Sequence, residues 1–322
     1  MPVNPLKPRI IYMGTPDFAV LPLKKLIDNA YDIAAVVTVP DKKSGRGQKI
    51  TQSAVKQFAV EKKIPVLQPE NLKSQEFIDV LKEIKPDIII VVAFRMLPEQ
   101  VWSLPSKGTF NLHASLLPQY RGAAPINWVL INGEKETGVT TFFIDKKIDT
   151  GNIILQKKIS VSFTDNAKSL HDKLMIVGAE LIIETVEKII HGNIEAIPQN
   201  VFETEHLKKA PKIYKDDCEI NWQQNGEHIY NFIRGLSPSP GAWTKIIMAG
   251  KKMELKIFDG QFEYQLHNKA VGTILIHGKD NMSIAVPNGI YKINSLQLQN
   301  KKQMSIREFL NGFGKYEMSI LR

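Results

Sequence analysis

Cysteine is almost absent from this chain of 322 residues, in which Cys218 is the single one. One cysteine excludes an intrachain disulfide framework and any metal site built from several thiolates. We expect its side chain to be buried or half-buried. The seven histidines are scattered along the chain, so we also expect no bound metal.

Long hydrophobic runs are missing as well. The longest apolar stretch, residues 88–94, has the length of a strand and is too short to span a bilayer. Residues 1–7 lack the apolar segment and the cleavage site of a secretory signal. We therefore expect a cytoplasmic protein that has no membrane anchor.

Nucleotide-binding motifs are also absent. Gly14-Thr15-Pro16-Asp17 follows the first predicted strand, where a dinucleotide-binding fold carries three spaced glycines, and two of these glycines are missing. No phosphate-binding P-loop motif occurs in the sequence. Nucleotide cofactors, and with them an NAD-dependent dehydrogenase, are therefore disfavoured.

What the first part of the chain does contain is an alternation of strand and helix patterns. Apolar β-branched runs predict strands at residues 9–14, 33–39, 64–67, 87–93, 108–113 and 140–144. Apolar residues at helical spacing predict helices at residues 18–30, 51–63 (capped by Thr51 or Ser53), 74–84 and 167–190. This order is typical of an α/β domain with a doubly wound, mostly parallel, Rossmann-like sheet.

The pattern changes near residue 192. Residues 193–211 have no periodicity, and beyond them short apolar runs alternate with Gly, Asn and Asp turns, as in a small antiparallel β-barrel. We therefore predict a catalytic domain at 1–192, a linker at 193–211 and a C-terminal β-barrel domain at 212–322. The chain has a net charge of +9, and residues 211–322 hold 15 Lys or Arg against 10 Asp or Glu. This excess suits a polyanion such as RNA, although it is also what an ordinary solvated surface would carry.

Three polar residues at predicted strand ends form the candidate catalytic site. Ligands of open α/β sheets bind outside the carboxyl ends of the strands, and Asn111 and His113 lie on one face of such a strand. Asn111 could donate hydrogen bonds to a developing oxyanion, and His113 could transfer a proton near neutral pH. Asp149, after the strand at 140–144, could orient the ring and favour its protonated form. Each residue alone could merely satisfy backbone groups, so the prediction depends on all three occurring together.

A serine nucleophile is the rival interpretation, because Ser115 lies near His113 and Asp149 completes a triad of residue types. No G-x-S-x-G elbow is present, however, and Leu-Leu-Pro follows Ser115 where a helix should begin. We therefore favour the Asn-His-Asp arrangement.

The residues around this site resemble a known family. The stretch FNLHASLLP at 110–118, followed by YRGAAPI at 120–126, is similar to the signature of the 10-formyltetrahydrofolate-dependent formyltransferases. The GTPDF turn at 14–18 and Asp149-Thr150-Gly151 fit the same family. The resemblance extends to the second domain, because in this family an OB-like β-barrel rich in basic groups follows the catalytic domain.

The resemblance implies an enzyme that moves a formyl group from its co-substrate, 10-formyltetrahydrofolate, to an amine without a metal. Asn111 and protonated His113 would stabilise the negative charge on the formyl oxygen. Asp149 would hold His113 and help move protons from the attacking amine to the departing folate nitrogen. The folate pocket would be lined by the segment Ser115, Leu116, Leu117 and Pro118.

The loop at residues 40–49 bears on the acceptor. It resembles a family insertion that reaches the acceptor end of the initiator tRNA, and its four cations and two glycines suit contact with phosphates. The implied tRNA-binding residues are Arg46, Lys42, Lys43 and Lys49. Together with the small residues of 121–125 and the basic β-barrel, the resemblance implies that the acceptor is the α-amine of methionine on initiator tRNA. The product would be N-formylmethionyl-tRNA for translation initiation.

Other interpretations remain open. The loop could be an ordinary solvated loop, the acceptor could be a purine precursor or a nucleotide sugar, or the chain could be a non-catalytic RNA-binding protein. No feature implies a stable protein partner, and we expect a monomer. Two positions depart from the family pattern: Arg95 and Lys147 stand where relatives more often carry glycine, and Arg95 changes the wall near the predicted pterin site.

Overall fold

A computed structural model of the protein describes residues 7–44, 49–202 and 206–320. Its strands are β1 (Arg9–Gly14), β2 (Asp32–Val37), β3 (Lys42–Ser44), β4 (Lys49–Thr51), β5 (Val66–Leu67), β6 (Ile88–Val92), β7 (Thr109–His113), β8 (Arg121–Gly122), β9 (Glu136–Phe143), β10 (Ile153–Ser160), β11 (Lys209–Ala210), β12 (Ala242–Met248), β13 (Lys251–Tyr264), β14 (Ile274–His277), β15 (Asn281–Val286), β16 (Gly289–Leu298), β17 (Met304–Ser305) and β18 (Met318–Ile320).

The α-helices are α1 (Val20–Asp28), α2 (Ala54–Glu61), α3 (Gln75–Ile84), α4 (Glu99–Trp102), α5 (Pro125–Ile131), α6 (Ala167–His191), α7 (Gly226–Leu236) and α8 (Ile306–Phe313). Short 3-10 turns lie at Asp17–Ala19, Gln199–Val201 and Asp216–Cys218. Within these ranges, no helix combines the length and the apolar character that crossing a membrane requires.

The first sheet has seven strands in the order β10-β9-β7-β6-β1-β2-β5. The five strands from β7 to β5 are parallel, and β9 and β10 add an antiparallel edge. The central strand β6 is buried at all five of its aliphatic residues, as a parallel strand covered on both faces must be. The predicted doubly wound, mostly parallel sheet is confirmed.

Strand β10 and the hairpin β3–β4 escaped prediction. β10 begins with two buried residues and then alternates between half-buried and exposed positions. It carries Gln156, Lys157 and Lys158, so its composition is that of a polar edge. The predicted helix at residues 51–63 begins later than expected. Ser53 is its N-cap and accepts a hydrogen bond from the Lys56 N–H, whereas Thr51 pairs with Lys42 in the hairpin.

The second large sheet is antiparallel, with the path β14-β15-β16-β13-β12-β18 and β17 paired to β16. Its end strands β14 and β18 approach each other, so the sheet forms a nearly closed barrel. The core inside it contains Trp222, Tyr291 and Phe309, and Cys218 belongs to the same cluster. The predicted barrel is confirmed.

The chain divides into two compact units, and each unit takes residues from separate parts of the sequence. The first comprises Met1–Gly122, Glu136–Ser160 and His171–Lys209, and the second comprises Ala123–Lys135, Val161–Leu170 and Ala210–Arg322. The linear limits of 1–192, 193–211 and 212–322 remain a prediction about which parts of the chain carry which function.

Candidate active site

Asn111 lies in the middle of β7, between β6 and β9, where backbone pairing to Val91 and Phe142 fixes its position. Strand alternation places its side chain on the same face as that of His113. The Asn111 side chain is half-buried, and over the described ranges the protein offers it no hydrogen-bond partner. A fixed amide of this kind is able to donate to a ligand.

His113 ends the same strand and is buried, with 7% of its side chain exposed. Its Nε2 lies 2.9 Å from the carbonyl oxygen of Tyr120. A carbonyl can only accept, so Nε2 carries a hydrogen and donates it to Tyr120. The nitrogen left for chemistry is therefore Nδ1, which faces the Oδ2 of Asp149 at 3.8 Å.

Asp149 reaches His113 by a route that the sequence did not indicate. We expected it at the carboxyl edge shared with β7, but β9 runs antiparallel to β7, so the end of β9 lies beside the start of β7. The loop at residues 144–152 must therefore return along the sheet to bring Asp149 to His113. Asp149 has a left-handed backbone (φ 54°), and its Oδ2 accepts a hydrogen bond of 2.9 Å from the Gly122 N–H.

The separation of 3.8 Å between His113 Nδ1 and Asp149 Oδ2 is within ion-pair range and beyond hydrogen-bond range. With only 16% of the Asp149 side chain exposed, water screens this pair less than it would a surface pair. A proton on Nδ1 would face the carboxylate, so the pair is placed for proton transfer.

The segment predicted to line the folate pocket is held firmly inside the protein. Ser115, Leu117 and Pro118 are buried, and Leu116 is half-buried. The hydroxyl of Thr140 donates to the Ser115 carbonyl at 2.6 Å and accepts from the Leu117 N–H, and the Leu117 carbonyl accepts from Gln156 Nε2 at 2.8 Å. These backbone groups are thus already paired, and the segment presents a rigid wall.

The rival serine interpretation finds no geometry to support it. The Ser115 hydroxyl donates to the Gln119 carbonyl at 2.6 Å, while the two ring nitrogens of His113 face Tyr120 and Asp149. Neither nitrogen is placed to take the Ser115 proton.

The predicted tRNA-binding loop is described only in part. Arg46 lies outside the described residues, and so do the side chains of Lys43 and Lys49, whose backbones pair in the hairpin β3–β4. Lys42 is exposed.

The root of this hairpin is anchored by a cluster of polar side chains. Asp41 accepts from Lys56 Nζ at 2.6 Å and from Gln68 Nε2 at 2.8 Å. The hydrogen bond from Lys56, followed by the one from Gln68, lowers the pKa of the Asp41 carboxyl. The entry of the hairpin is therefore fixed to α2 and to the end of β5.

Arg95 and Lys147, the two residues that depart from the family pattern, each form hydrogen bonds to nearby segments. The Arg95 guanidinium donates to the carbonyls of Pro69 and Glu70 at 2.8 and 3.0 Å, so it ties the segment after β6 to the segment after β5. The Lys147 N–H donates to Asp145 Oδ1, which also accepts from the Thr150 hydroxyl. Lys147 is thus part of the turn that leads to Asp149.

Gln199 is a site residue that sequence reasoning missed, because residues 193–211 were assigned to a linker. Its side chain is buried, donates to the carbonyls of Asp149 and Gly151, and accepts from Arg121. Nothing in the local pattern, a Pro-Gln-Asn sequence in an aperiodic stretch, separates it from a surface turn.

Two further predictions concern Cys218 and metals. Cys218 is 1% exposed, as expected, and burial raises the pKa of its thiol. In the part of the chain that the structure describes, no three His, Cys, Asp or Glu side chains come close enough to hold a metal ion.

Comparison with known protein families gives two matches. The family described as formyl transferase matches residues 8–186, and the one described as formyl transferase, C-terminal domain, matches residues 212–314. Among curated proteins, the methionyl-tRNA formyltransferase of Bacteroides thetaiotaomicron is 50% identical over 307 residues, which cover 95% of each chain. The enzyme of the same name from Bacteroides fragilis is 52% identical over the same share.

Solved structures share the fold at low identity. HypX from Aquifex aeolicus in complex with tetrahydrofolic acid has a TM-score of 0.66 and 18% identity; the match covers 96% of this chain and 48% of HypX, so the chain spans about half the length of that protein. The sugar 3N-formyl transferase WlaRD has a TM-score of 0.63 and 22% identity, covering 92% of this chain and 100% of WlaRD. At these identities the likeness concerns the fold alone.

Proposed function

The chain belongs to the formyl transferase family, and from that membership we propose that it transfers the formyl group of 10-formyltetrahydrofolate to the α-amine of methionine on initiator tRNA. Relatives that carry the name of this activity are about half identical to the chain over 95% of its length. The structural observation that carries the proposal is the buried His113–Asp149 pair beside the half-buried amide of Asn111, which has no hydrogen-bond partner among the described residues.

Asn111 acts on the formyl oxygen. When the amine attacks the formyl carbon, negative charge develops on this oxygen, and a fixed amide N–H stabilises it without having to reorganise. The pairing of β7 on both sides holds the amide in place before substrate arrives. The half-exposed position of Asn111 leaves room for the formyl group to approach.

His113 and Asp149 handle the protons. Nε2 of His113 donates to the Tyr120 carbonyl, which leaves Nδ1 for chemistry, and in its protonated form Nδ1 adds positive charge where the oxyanion develops. Asp149 offsets that charge and orients the ring. Between the attacking amine, which must lose a proton, and the folate nitrogen, which must gain one, this pair provides the transfer route.

The segment of Ser115, Leu116, Leu117 and Pro118 forms one wall of the folate pocket in this proposal. Its backbone is fixed by Thr140 and Gln156, so it contributes shape and apolar contact. Such a rigid wall positions the formyl carbon next to Asn111 and His113 without reordering the chain.

The acceptor tRNA is engaged by two other parts of the chain. Arg46, Lys42, Lys43 and Lys49 of the hairpin contact phosphates near the acceptor end, and the β-barrel domain, with its positive net charge, binds the body of the tRNA. We place the activity in the cytoplasm, because the relatives are bacterial enzymes of translation.

Incubation of the purified protein with 10-formyltetrahydrofolate and methionyl-tRNA tests this function, with initiator and elongator tRNA in parallel and His113→Ala as the inactive control. We expect formyl-methionine on the initiator tRNA alone. Formylation of neither tRNA would refute the proposal, and equal formylation of both would refute the assignment of the acceptor.

A further inference from the structure

Gln199 lies in the 3-10 turn Gln199–Val201, outside every regular element of the sheet, yet only 3% of it is exposed. Its amide nitrogen donates to the carbonyl oxygens of Asp149 at 3.0 Å and Gly151 at 2.8 Å. Its oxygen accepts from Nε of Arg121 at 3.0 Å and from the terminal Nη2 at 2.5 Å. Both the amide nitrogen and the amide oxygen of Gln199 therefore have two hydrogen bonds each.

The partners of Gln199 fix the orientation of its amide. Arginine can only donate and backbone carbonyls can only accept, so the oxygen must face Arg121 and the nitrogen must face the loop. No other side chain of this size supplies two donors on one end and an acceptor on the other. A glutamate would present oxygens to two carbonyls, and a methionine would present no donor and only a weak acceptor.

These contacts converge on the Asp149 carboxylate. Gln199 holds the left-handed backbone of Asp149 directly, and it also holds Arg121, whose neighbour Gly122 donates to Asp149 Oδ2. Gln199 thus helps to fix the carboxylate in two ways: through the backbone of Asp149 and, by way of Arg121, through the Gly122 N–H that binds Oδ2. The same oxygen lies 3.8 Å from His113 Nδ1.

We propose that Gln199 is a positioning residue for formyl transfer, which holds the loop of Asp149 and Gly151 so that the Asp149 carboxylate stays beside His113. This inference rests on the proposed function of the His113–Asp149 pair. Gln199 acts through Asp149, and a displacement of the carboxylate by about 1 Å is enough to lower turnover by as much as 10²-fold.

The experiment compares Gln199→Glu in the wild-type background and in the Asp149→Ala background. In the wild type we expect kcat to fall by about 10-fold to 10²-fold with the KM of both substrates changed less than about twofold. In Asp149→Ala the same substitution should lower kcat by less than about twofold, because the group that it positions is gone. An equal loss in the two backgrounds, or no loss in the wild type, would overturn the proposal.

Thr185→Val is the matched control for the loss of a buried hydrogen bond in the same unit. The Thr185 hydroxyl is fully buried, lies 2.8 Å from that of Thr141 and donates to the Leu181 carbonyl. We expect this variant to unfold at a lower temperature and to change kcat by the same factor in both backgrounds. Should Gln199→Glu fail to fold, Gln199→Met is measured in its place against the same expectations.

A readout that needs no activity separates this proposal from the function on which it rests. The NMR resonances of the His113 ring, assigned by their loss in His113→Ala, should move in Gln199→Glu and Gln199→Met and stay in place in Thr185→Val. Unmoved resonances would overturn the positioning role. Moved resonances in a protein that formylates no tRNA would support the positioning of the pair and refute the proposed function alone.

Discussion

Two loops of the first unit are held by a glutamine in the same way. Gln199 donates to the backbone of the loop that carries Asp149 and accepts from Arg121. Gln68 donates to the Val39 carbonyl and to Asp41 at the root of the hairpin β3–β4, and accepts from Lys56 Nζ at 2.7 Å. In both places the neutral amide of a glutamine bonds to a cationic side chain and to a loop.

The two anchors differ in burial. Gln199 is buried, with 3% of it exposed, whereas Gln68 is half-buried and the side chains of its partners Asp41 and Lys56 are 24% and 16% exposed. When a buried bond is lost, polar groups remain that water cannot reach, but at the hairpin root water can take over. The same pattern of hydrogen bonds therefore has two effects. At the loop that carries Asp149 it fixes the positions of the atoms that chemistry needs, whereas at the hairpin β3–β4 it fixes only where the hairpin is attached.

The largest expected effect tests the first loop. His113→Ala and Asp149→Ala should each lower kcat by about 10²-fold or more, as the loss of a positioned acid–base or electrostatic group does. Steady-state formylation of initiator methionyl-tRNA measures this, with Lys24→Ala, which removes an exposed side chain of α1, as a control that keeps kcat. Near-normal kcat in both site variants would mean that the loop of Asp149 has no more part in the chemistry than the hairpin β3–β4.

Asn111→Ala should have the next largest effect. We expect kcat to fall by about 10²-fold, because one donor to the developing oxyanion is removed. The KM for 10-formyltetrahydrofolate should change little, since the oxygen carries its charge only in the transition state. A raised KM with kcat unchanged would show that Asn111 binds the ground state instead.

Arg46→Ala tests the second loop and should have a smaller effect. We expect the KM for tRNA to rise by about tenfold, which corresponds to one charge-assisted contact of about 1.4 kcal/mol. A minimal aminoacyl substrate without the tRNA body should be used as well by the variant as by the wild type. An equal defect with the minimal substrate would mean that the hairpin serves the chemistry after all.

The smallest expected effect is on the pH dependence of stability, through Asp41 at the root of the hairpin β3–β4. The pKa of Asp41 is lowered in the folded protein, chiefly by the hydrogen bond from Lys56, so its ionised form stabilises the fold above the ordinary carboxyl pKa. That contribution disappears as the pH falls through the lowered pKa. Urea unfolding should therefore show Asp41→Asn less stable than the wild type near pH 6 and equal to it at strongly acidic pH. A difference that persists in acid would point to packing instead of charge.

Much of the fold was predictable because the decisive signals are local. The continuous β-branched run of β6 is typical of a strand buried on both faces, and Ser53 satisfies a helix N-terminus by its own side chain. The edge strand β10 was missed because one half of it faces water, which gives its sequence a polar character.

The sequence named the candidate site residues Asn111, His113 and Asp149, but it did not show how Asp149 meets the other two. Asn111 and His113 are two residues apart on one strand, and strand geometry alone places them on one face. Asp149 was expected at a shared sheet edge, yet β9 is antiparallel and the loop after it brings the carboxylate back. Gln199 was assigned to a linker, since its partners are 48 to 78 residues away along the chain.

The sequence by itself thus determined the class of fold and the family and supplied the candidate site residues, because hydrophobic periodicity and a strand-borne motif are read from neighbouring residues. Only the tertiary structure decided which nitrogen of His113 faces Asp149 and which side chain fixes that carboxylate. Hydrogen bonds between distant segments depend on where the chain returns, and no local pattern encodes that path.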